Sequence, residues 1–215
     1  MKAISVEHAG LSRVERKKQD TRARILAAAE TLMRANPIDS VTIQDITDAA
    51  DVGHGSFYLH FKSKYEVLVP IIHAHAASLD QKLQKVIPAI SDPAEVMAIS
   101  ARYIARMIVA DELWKWFLRH SGVPSEEIQK AVGRFSDRDF EEGFHSGRFK
   151  VNDRIATRDY AFGGLVNCLM TAFDTQDPLK LIDDGAELML RVFGLSPEQA
   201  NEIAHRQLPK LEEEL

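Results

Sequence analysis

The sequence predicts an all-α protein, with an N-terminal three-helix head on a larger helical bundle. Three observations carry this. Apolar residues recur at helical spacing along most of the chain. Ser, Thr or Asp stands ahead of several apolar runs, often with Pro or an acidic residue just behind it, as at Asp92-Pro93, Asp177-Pro178 and Ser196-Pro197-Glu198. No segment alternates as a strand would, and there is no internal repeat or low-complexity stretch.

Taken in order, residues 1–12 carry no strong pattern and read as a flexible arm. A first helix is expected from about 17 to 35, with Ile25, Leu26, Ala29, Leu32 and Met33 on one face and Asn36-Pro37 as its stop. Thr42, with Asp45 three residues on, caps a second helix, whose stripe is Ile43, Ile46 and Ala50. Asp51-Val52-Gly53 breaks it. A third short helix turns Phe57 and Phe61 inward and leaves His54, Gly55, Ser56, Tyr58 and His60 outward. Ser63-Lys64-Tyr65-Glu66 reads as a capping box opening a long fourth helix that ends near Ile87-Pro88. Pro70 then falls in its interior, where a proline kinks a helix and could act as a hinge. Further helices are expected from Asp92, over Asp111–His120, from Pro124 to about Phe144, from Asp153 to about Phe173, from Asp177, and from Ser196 to a stop at Pro209, with Arg148–Asn152 as a connection.

The bulk numbers exclude several classes. The 215 residues are 45% hydrophobic and 27% charged, an ordinary globular composition rather than a disordered one. No apolar run reaches the roughly 18 residues of a membrane span, and the first residues lack a secretory core, so no membrane partner is expected. Cys168 is the one cysteine, which leaves no intrachain disulfide and fits a cytoplasmic setting. The net charge of −5 divides unevenly: residues 1–64 hold ten basic against eight acidic side chains, or +2, and the remainder holds −7. The basic residues bunch at 13–24 and 62–64, on either side of the second and third helices.

Two short helices joined by a tight turn form a helix-turn-helix, the unit that lays its second helix in the DNA major groove. The run Ala50-Asp51-Val52-Gly53-His54-Gly55-Ser56-Phe57-Tyr58-Leu59-His60-Phe61-Lys62-Ser63-Lys64 resembles the signature of TetR-type transcriptional regulators, roughly A-G-V-S-x-G-T-[LF]-Y-x-[HY]-F-x-[SN]-K. It matches at Val52, Gly55, Phe57, Tyr58, His60, Phe61, Ser63 and Lys64, with Ser56 a near match. It departs at Asp51, where the family has Gly, and at Gly53, where it has a capping Ser or Thr. The resemblance is specific over residues 20–66; beyond them it extends only as a helical body of suitable length.

That resemblance implies a DNA-binding domain over 1–62 and a ligand-binding and dimerisation domain over 63–215. The DNA-binding set would be Thr42, Gly53, His54, Gly55, Ser56, Tyr58, His60 and Lys64, with Tyr58 and Lys64 on phosphates and His54, Gly55 and Ser56 near base edges. Thr42 opens a helix whose hydroxyl and free amides can meet a phosphate. An effector would sit among aromatic and soft side chains of the fifth to seventh helices, which include Ile104, Phe135 and Phe140. The ligand-binding candidates there are Tyr103, Met107, Trp114, Phe117, His120 and Phe144, with Asn167 as a further polar group. Gly163 and Gly164 inside a helix each cost about 1 kcal/mol relative to Ala, which close helix approach in a homodimer would justify, with Leu165, Leu169, Leu188 and Val192 as apolar contact.

No catalytic or metal constellation is readable. His73 and His75 point to different helix faces, and there is no Gly-rich phosphate loop. The expectation is a regulator without cofactor or metal: a homodimer on a double-stranded DNA operator, most often a repressor, released by a small, largely apolar effector. The alternative is a helical ligand-binding or scaffolding protein without DNA function.

Overall fold

The computed structural model describes residues 12–120 and 134–211, and for His120, Arg134, Phe135 and Ser136 the backbone alone. Among these residues all regular structure is helical: α1 (Arg13–Ala35), α2 (Ile43–Ala49), α3 (His54–Tyr58), α4 (Leu68–Val86), α5 (Pro93–Ala110), α6 (Glu112–His120), α7 (Arg134–His145), α8 (Arg154–Ala172), α9 (Pro178–Val192) and α10 (Pro197–Ala204), with 3-10 turns at Ile38–Ser40 and Ile87–Ala89. The segment from Pro124 expected to open the seventh helix lies outside the described residues.

The chain divides into two compact units that meet between Ile71 and Ile72, inside α4, where the sequence puts the boundary ahead of that helix. In the first unit α1 packs on α2 and α2 on α3, with Ile25, Ala29, Ile46, Phe57 and Phe61 buried. α1 starts four residues before its expected onset. Ser12 and Glu15 form a reciprocal capping box, the hydroxyl accepting from the Glu15 amide at 3.2 Å and the carboxylate from the Ser12 amide at 2.8 Å. The signal, Ser-x-x-Glu, stood in the sequence.

α4 departs further from expectation. Ser63 does accept from the Glu66 amide, at 3.3 Å, but the Glu66 carboxylate turns back to the Lys62 amide at 2.7 Å, and residues 64–67 form turns rather than helix. Pro70 explains the delay. Without an N–H it cannot donate to the Glu66 carbonyl, so a helix begun at Ser63 would be broken there. The helix starts at Leu68 instead and Pro70 is its third residue, in the turn where a missing N–H costs nothing. Pro70 is therefore not interior, and the expectation of a kink and hinge there loses its basis.

In the second unit α9 packs on α5, α8 and α10, and α5 also on α6, α7 and α8. The main core gathers Met97, Phe140, Phe149, Met189, Leu190, Phe193 and Ile203, with small residues such as Ala94, Ala98 and Ala186 where helices approach. The caps expected at Asp92, Asp153, Asp177 and Ser196 are all made. α10 ends at Ala204, ahead of the expected stop at Pro209, and the tail runs on irregularly. A smaller core of Leu79, Leu83 and Ile99 is covered by Tyr103, Met107, Leu208 and Leu211.

Candidate functional site

The head is built from local bonds. Thr42 caps α2 with Asp45: the Thr42 amide and hydroxyl both donate to the Asp45 carboxylate, at 2.9 and 2.7 Å, and the hydroxyl accepts from the Asp45 amide at 3.1 Å. Asp51 then takes a left-handed conformation, φ 49°, as a short polar residue can. Gly53 caps α3 from an extended conformation with no side-chain bond. Phe57 faces inward and is fully buried, while His54, Gly55 and Tyr58 are exposed and Ser56 is half-buried. His54 and Tyr58, one turn apart, meet edge to face with ring centroids at 5.5 Å. A Cβ built on Gly55 would meet nothing within 4 Å, so this face is open to close approach.

His60 is half-buried and differs from the others. Burial pushes its pKa down, and the charges of Lys18 and Arg22 add to this, so it is neutral at pH 7. Arg22 itself lies over the Phe61 ring, 5.3 Å from its centroid. Lys64, expected on a phosphate, is spent within the head: its ammonium donates to the carbonyls of Ile38, Asp39 and Val41. The Thr42 hydroxyl and amide are likewise committed to Asp45, which leaves the next amides of α2 rather than Thr42 itself to meet an anion.

The second unit holds a partly open cavity of about 80 Å³ between α5, α7, α8 and α9. Its wall is apolar, with Met97, Ile104, Ile108, Phe140, Phe162, Leu165, Val166, Leu169, Met189 and Phe193. Asp137 and Arg158 are its charged residues, with Arg158 Nη1 3.6 Å from the Asp137 carboxylate. Cys168 also lines it, with a thiol pushed up by burial and therefore protonated at neutral pH.

Of the predicted chamber residues whose side chains are described, only Ile104 and Phe140 line this cavity. Tyr103 and Met107 belong to the smaller core, and the Tyr103 hydroxyl donates to the Pro209 carbonyl of the tail. Trp114 and Phe117 are buried core residues, Phe144 stacks beneath Arg154, and Asn167 is exposed. The side chain of His120 lies outside the described residues, as does that of Phe135. An apolar pattern separates inside from outside, but not a packed wall from a hollow one. What the sequence did offer was the stripe Ala161, Leu165, Cys168 and Leu169 along α8, which faces the cavity.

Beside the cavity, and sharing Ala161, Leu165 and Cys168 of α8 with it, a groove runs along α9, lined by Tyr160, Gly163, Gly164, Leu188 and Val192. Cβ atoms built on Gly163 and Gly164 would meet nothing within 4 Å, so among the described residues no other helix crosses there. Tyr160 and Leu188 are 73% and 54% exposed, high for large apolar side chains. Leu165 lines both groove and cavity; Leu169 is buried toward the cavity and absent from the groove.

A helix-turn-helix head and a helical body with an internal cavity define a ligand-responsive DNA-binding regulator. The family description "Bacterial regulatory proteins, tetR family" fits residues 25–70, and "Tetracyclin repressor-like, C-terminal domain" fits residues 92–206. The chain is similar to RolR in complex with resorcinol at 31% identity, covering 92% of this chain and 100% of that one with a TM-score of 0.82. RolR without ligand matches at 30% identity, covering 88% of this chain and 100% of that one, with a TM-score of 0.79. FadR from Bacillus subtilis in complex with stearoyl-CoA shares the fold, at 21% identity over 78% of this chain and 96% of that one, with a TM-score of 0.60. No curated protein sequence matches. The chain belongs to the TetR family of transcriptional regulators. Among the described residues no helix is long and apolar enough to cross a membrane.

Proposed function

We propose that this protein is a homodimeric repressor that holds a pseudo-palindromic operator when empty and leaves it when a small hydroxylated aromatic molecule fills the cavity between α5, α7, α8 and α9. The observation that carries the reading is the division of α3. Phe57 anchors it from inside, while His54, Gly55 and Tyr58 stand exposed on the helix that such heads insert into the major groove. Ser56, half-buried, completes the proposed base-reading set, with Tyr58 on a phosphate. Dimerisation through the Gly163–Gly164 groove would set two heads on successive half-sites.

Cavity size selects the effector class. A site for a drug-sized ligand needs several hundred Å³. About 80 Å³ is too small for the acyl chain seen with FadR, and a single small ring, of the kind RolR was solved with, is the most it would take once the wall gives slightly. Asp137 would accept from a ligand hydroxyl and Arg158 would donate to it, while the apolar wall takes the ring.

The test is selection of bound duplexes from a random library, followed by titration of resorcinol and related hydroxybenzenes against the selected operator. Recovery of a two-fold symmetric site that is released by such compounds is expected. Failure to enrich any duplex would remove the DNA reading; enrichment without release by any hydroxybenzene would remove the effector class alone.

A further inference from the structure

Lys64 ends the motif that points to DNA, yet its charge is turned inward. Its Nζ lies 3.1, 2.8 and 2.7 Å from the carbonyl oxygens of Ile38, Asp39 and Val41. An ammonium group has three protons, and here three acceptors take them. Beside it the Tyr65 hydroxyl donates to the Asp39 carboxylate at 3.3 Å. These bonds gather the 3-10 turn Ile38–Ser40, which runs directly into Thr42. From the other side Asp45 takes the Thr42 amide and hydroxyl. The entry to α2 is thus gripped by its carbonyls from one side and by its capping group from the other.

The position of Lys64 in the chain gives this grip its meaning. It lies six residues past the end of α3, so the bonds join the segment that leaves α3 to the entry of α2. Chain and hydrogen bonds then form a closed ring through α2, the Asp51 turn, α3 and Lys64. In an α3 of five residues, too short to hold its own geometry, such closure fixes how the helix is presented. Three carbonyls converging on one point also call for a compact ammonium rather than the planar fork of an arginine.

We propose that Lys64 is a positioning residue for DNA recognition, acting by tying α3 to the start of α2, and not a phosphate contact. The proposal rests on the DNA-binding reading above. Phosphate neutralisation in this segment then falls to the exposed Lys62, two residues earlier.

Salt dependence separates the two roles. Each phosphate contact contributes about 0.9 to the slope of log K against log salt concentration, and a positioning residue contributes none. In Lys64→Met, measured well below its melting temperature, operator affinity should fall about tenfold or more with the wild-type slope retained. Lys64→Arg keeps the charge and should not restore affinity. Lys62→Met should lower the slope by about 0.9. In the free protein, amides of α2 should exchange faster in Lys64→Met than in the wild type. A slope lowered by about one in Lys64→Met, or full rescue by Arg, would overturn the proposal. Failure of the wild type to bind any duplex would instead defeat the DNA reading, and unchanged exchange in α2 would by itself overturn the tie.

Discussion

Arg24 of α1 donates twice to Asp51, to its main-chain carbonyl at 2.6 Å and to its carboxylate at 2.9 Å. Asp51 is the left-handed residue of the turn between α2 and α3, at the position where the family has glycine. The departure is therefore compensated: a residue with some backbone strain brings a carboxylate that Arg24 can hold. The carboxylate is 98% exposed, so the ion pair itself contributes well under 1 kcal/mol.

Two substitutions weigh strain against pairing. Asp51→Ala keeps the left-handed backbone and loses the carboxylate, and should cost about 1 kcal/mol. Asp51→Gly relieves the strain and leaves the carbonyl bond to Arg24 in place, so it should be neutral or stabilising by up to about 1 kcal/mol. Thermal melts of both variants decide; a glycine variant less stable than the alanine one would contradict this balance.

How far the sequence was legible follows from the range of the interactions. Thr42, Asp92, Asp153, Asp177 and Ser196 each cap a helix within three residues of themselves, and local pattern found them. The inward turn of Phe57 was legible for the same reason. Pro70 was misplaced because Ser63-Lys64-Tyr65-Glu66 reads locally as a helix start, whereas the Glu66 carboxylate goes to the Lys62 amide and the proline, a longer-range constraint, moves the onset to Leu68. The cavity was the least legible feature. Whether Trp114 packs into core while Val166 borders a void depends on how four helices meet, and no run of residues records that.

At the DNA surface, Tyr58→Ala should weaken operator binding across all sequences, because a phosphate contact carries affinity without base information. Substitution of His54 or Ser56 should change base preference at one position of each half-site, by about 1–3 kcal/mol. Binding profiles over a duplex library distinguish the two patterns, and a uniform loss from His54 variants would take that residue out of the base-reading set.

Asp183 ties α9 to α5. Arg102 Nε lies 2.7 Å from its carboxylate and Arg106 Nη2 lies 2.9 Å away, and the Arg102 side chain is only 5% exposed. Burial works to raise the Asp183 pKa, but the bonds and charges of the two arginines outweigh it and hold the carboxyl below its usual range. A carboxyl lowered on folding adds stability that is complete above its unfolded value, about 3.9, and is lost as pH falls through the folded one. Asp183→Asn should therefore cost about 3 kcal/mol at pH 7, where it strands the buried Arg102 charge. The gap to wild type should narrow on acidification below the ordinary carboxylate range. A pH-independent gap in denaturant melts would show that shape rather than charge is lost.

Filling the cavity should silence the effector without touching the operator. Val166 borders the void and is only partly buried, so Val166→Phe places its ring there at an overpacking cost of about 1–3 kcal/mol. The expected variant binds operator as the wild type does and is released only at a hundredfold or more higher effector concentration, if at all. Wild-type release would mean that the effector binds elsewhere.

The groove along α8 and α9 makes the last prediction unusually clean. A bulky side chain in a helix–helix contact usually disturbs the protomer as well as the assembly. At Gly164 it should not, since a Cβ there meets nothing within 4 Å and the residue faces outward. Relative to glycine, tryptophan also improves helix propensity, by a few tenths of a kcal/mol. Gly164→Trp should therefore fold with wild-type or slightly higher monomer stability and yet keep two copies of the groove from closing on one another. Sedimentation should find the wild type as a dimer and the variant as a monomer at micromolar concentration, with operator affinity lost because one head alone meets half the site. The neighbouring Gly185 supplies the contrast: its Cβ would already touch the Cys168 sulfur at 3.4 Å, with Leu165 close by, so the ring of Gly185→Trp has to displace them and should lower protomer stability as well as dimerisation. A Gly164→Trp protein that stays dimeric would move the interface away from this groove.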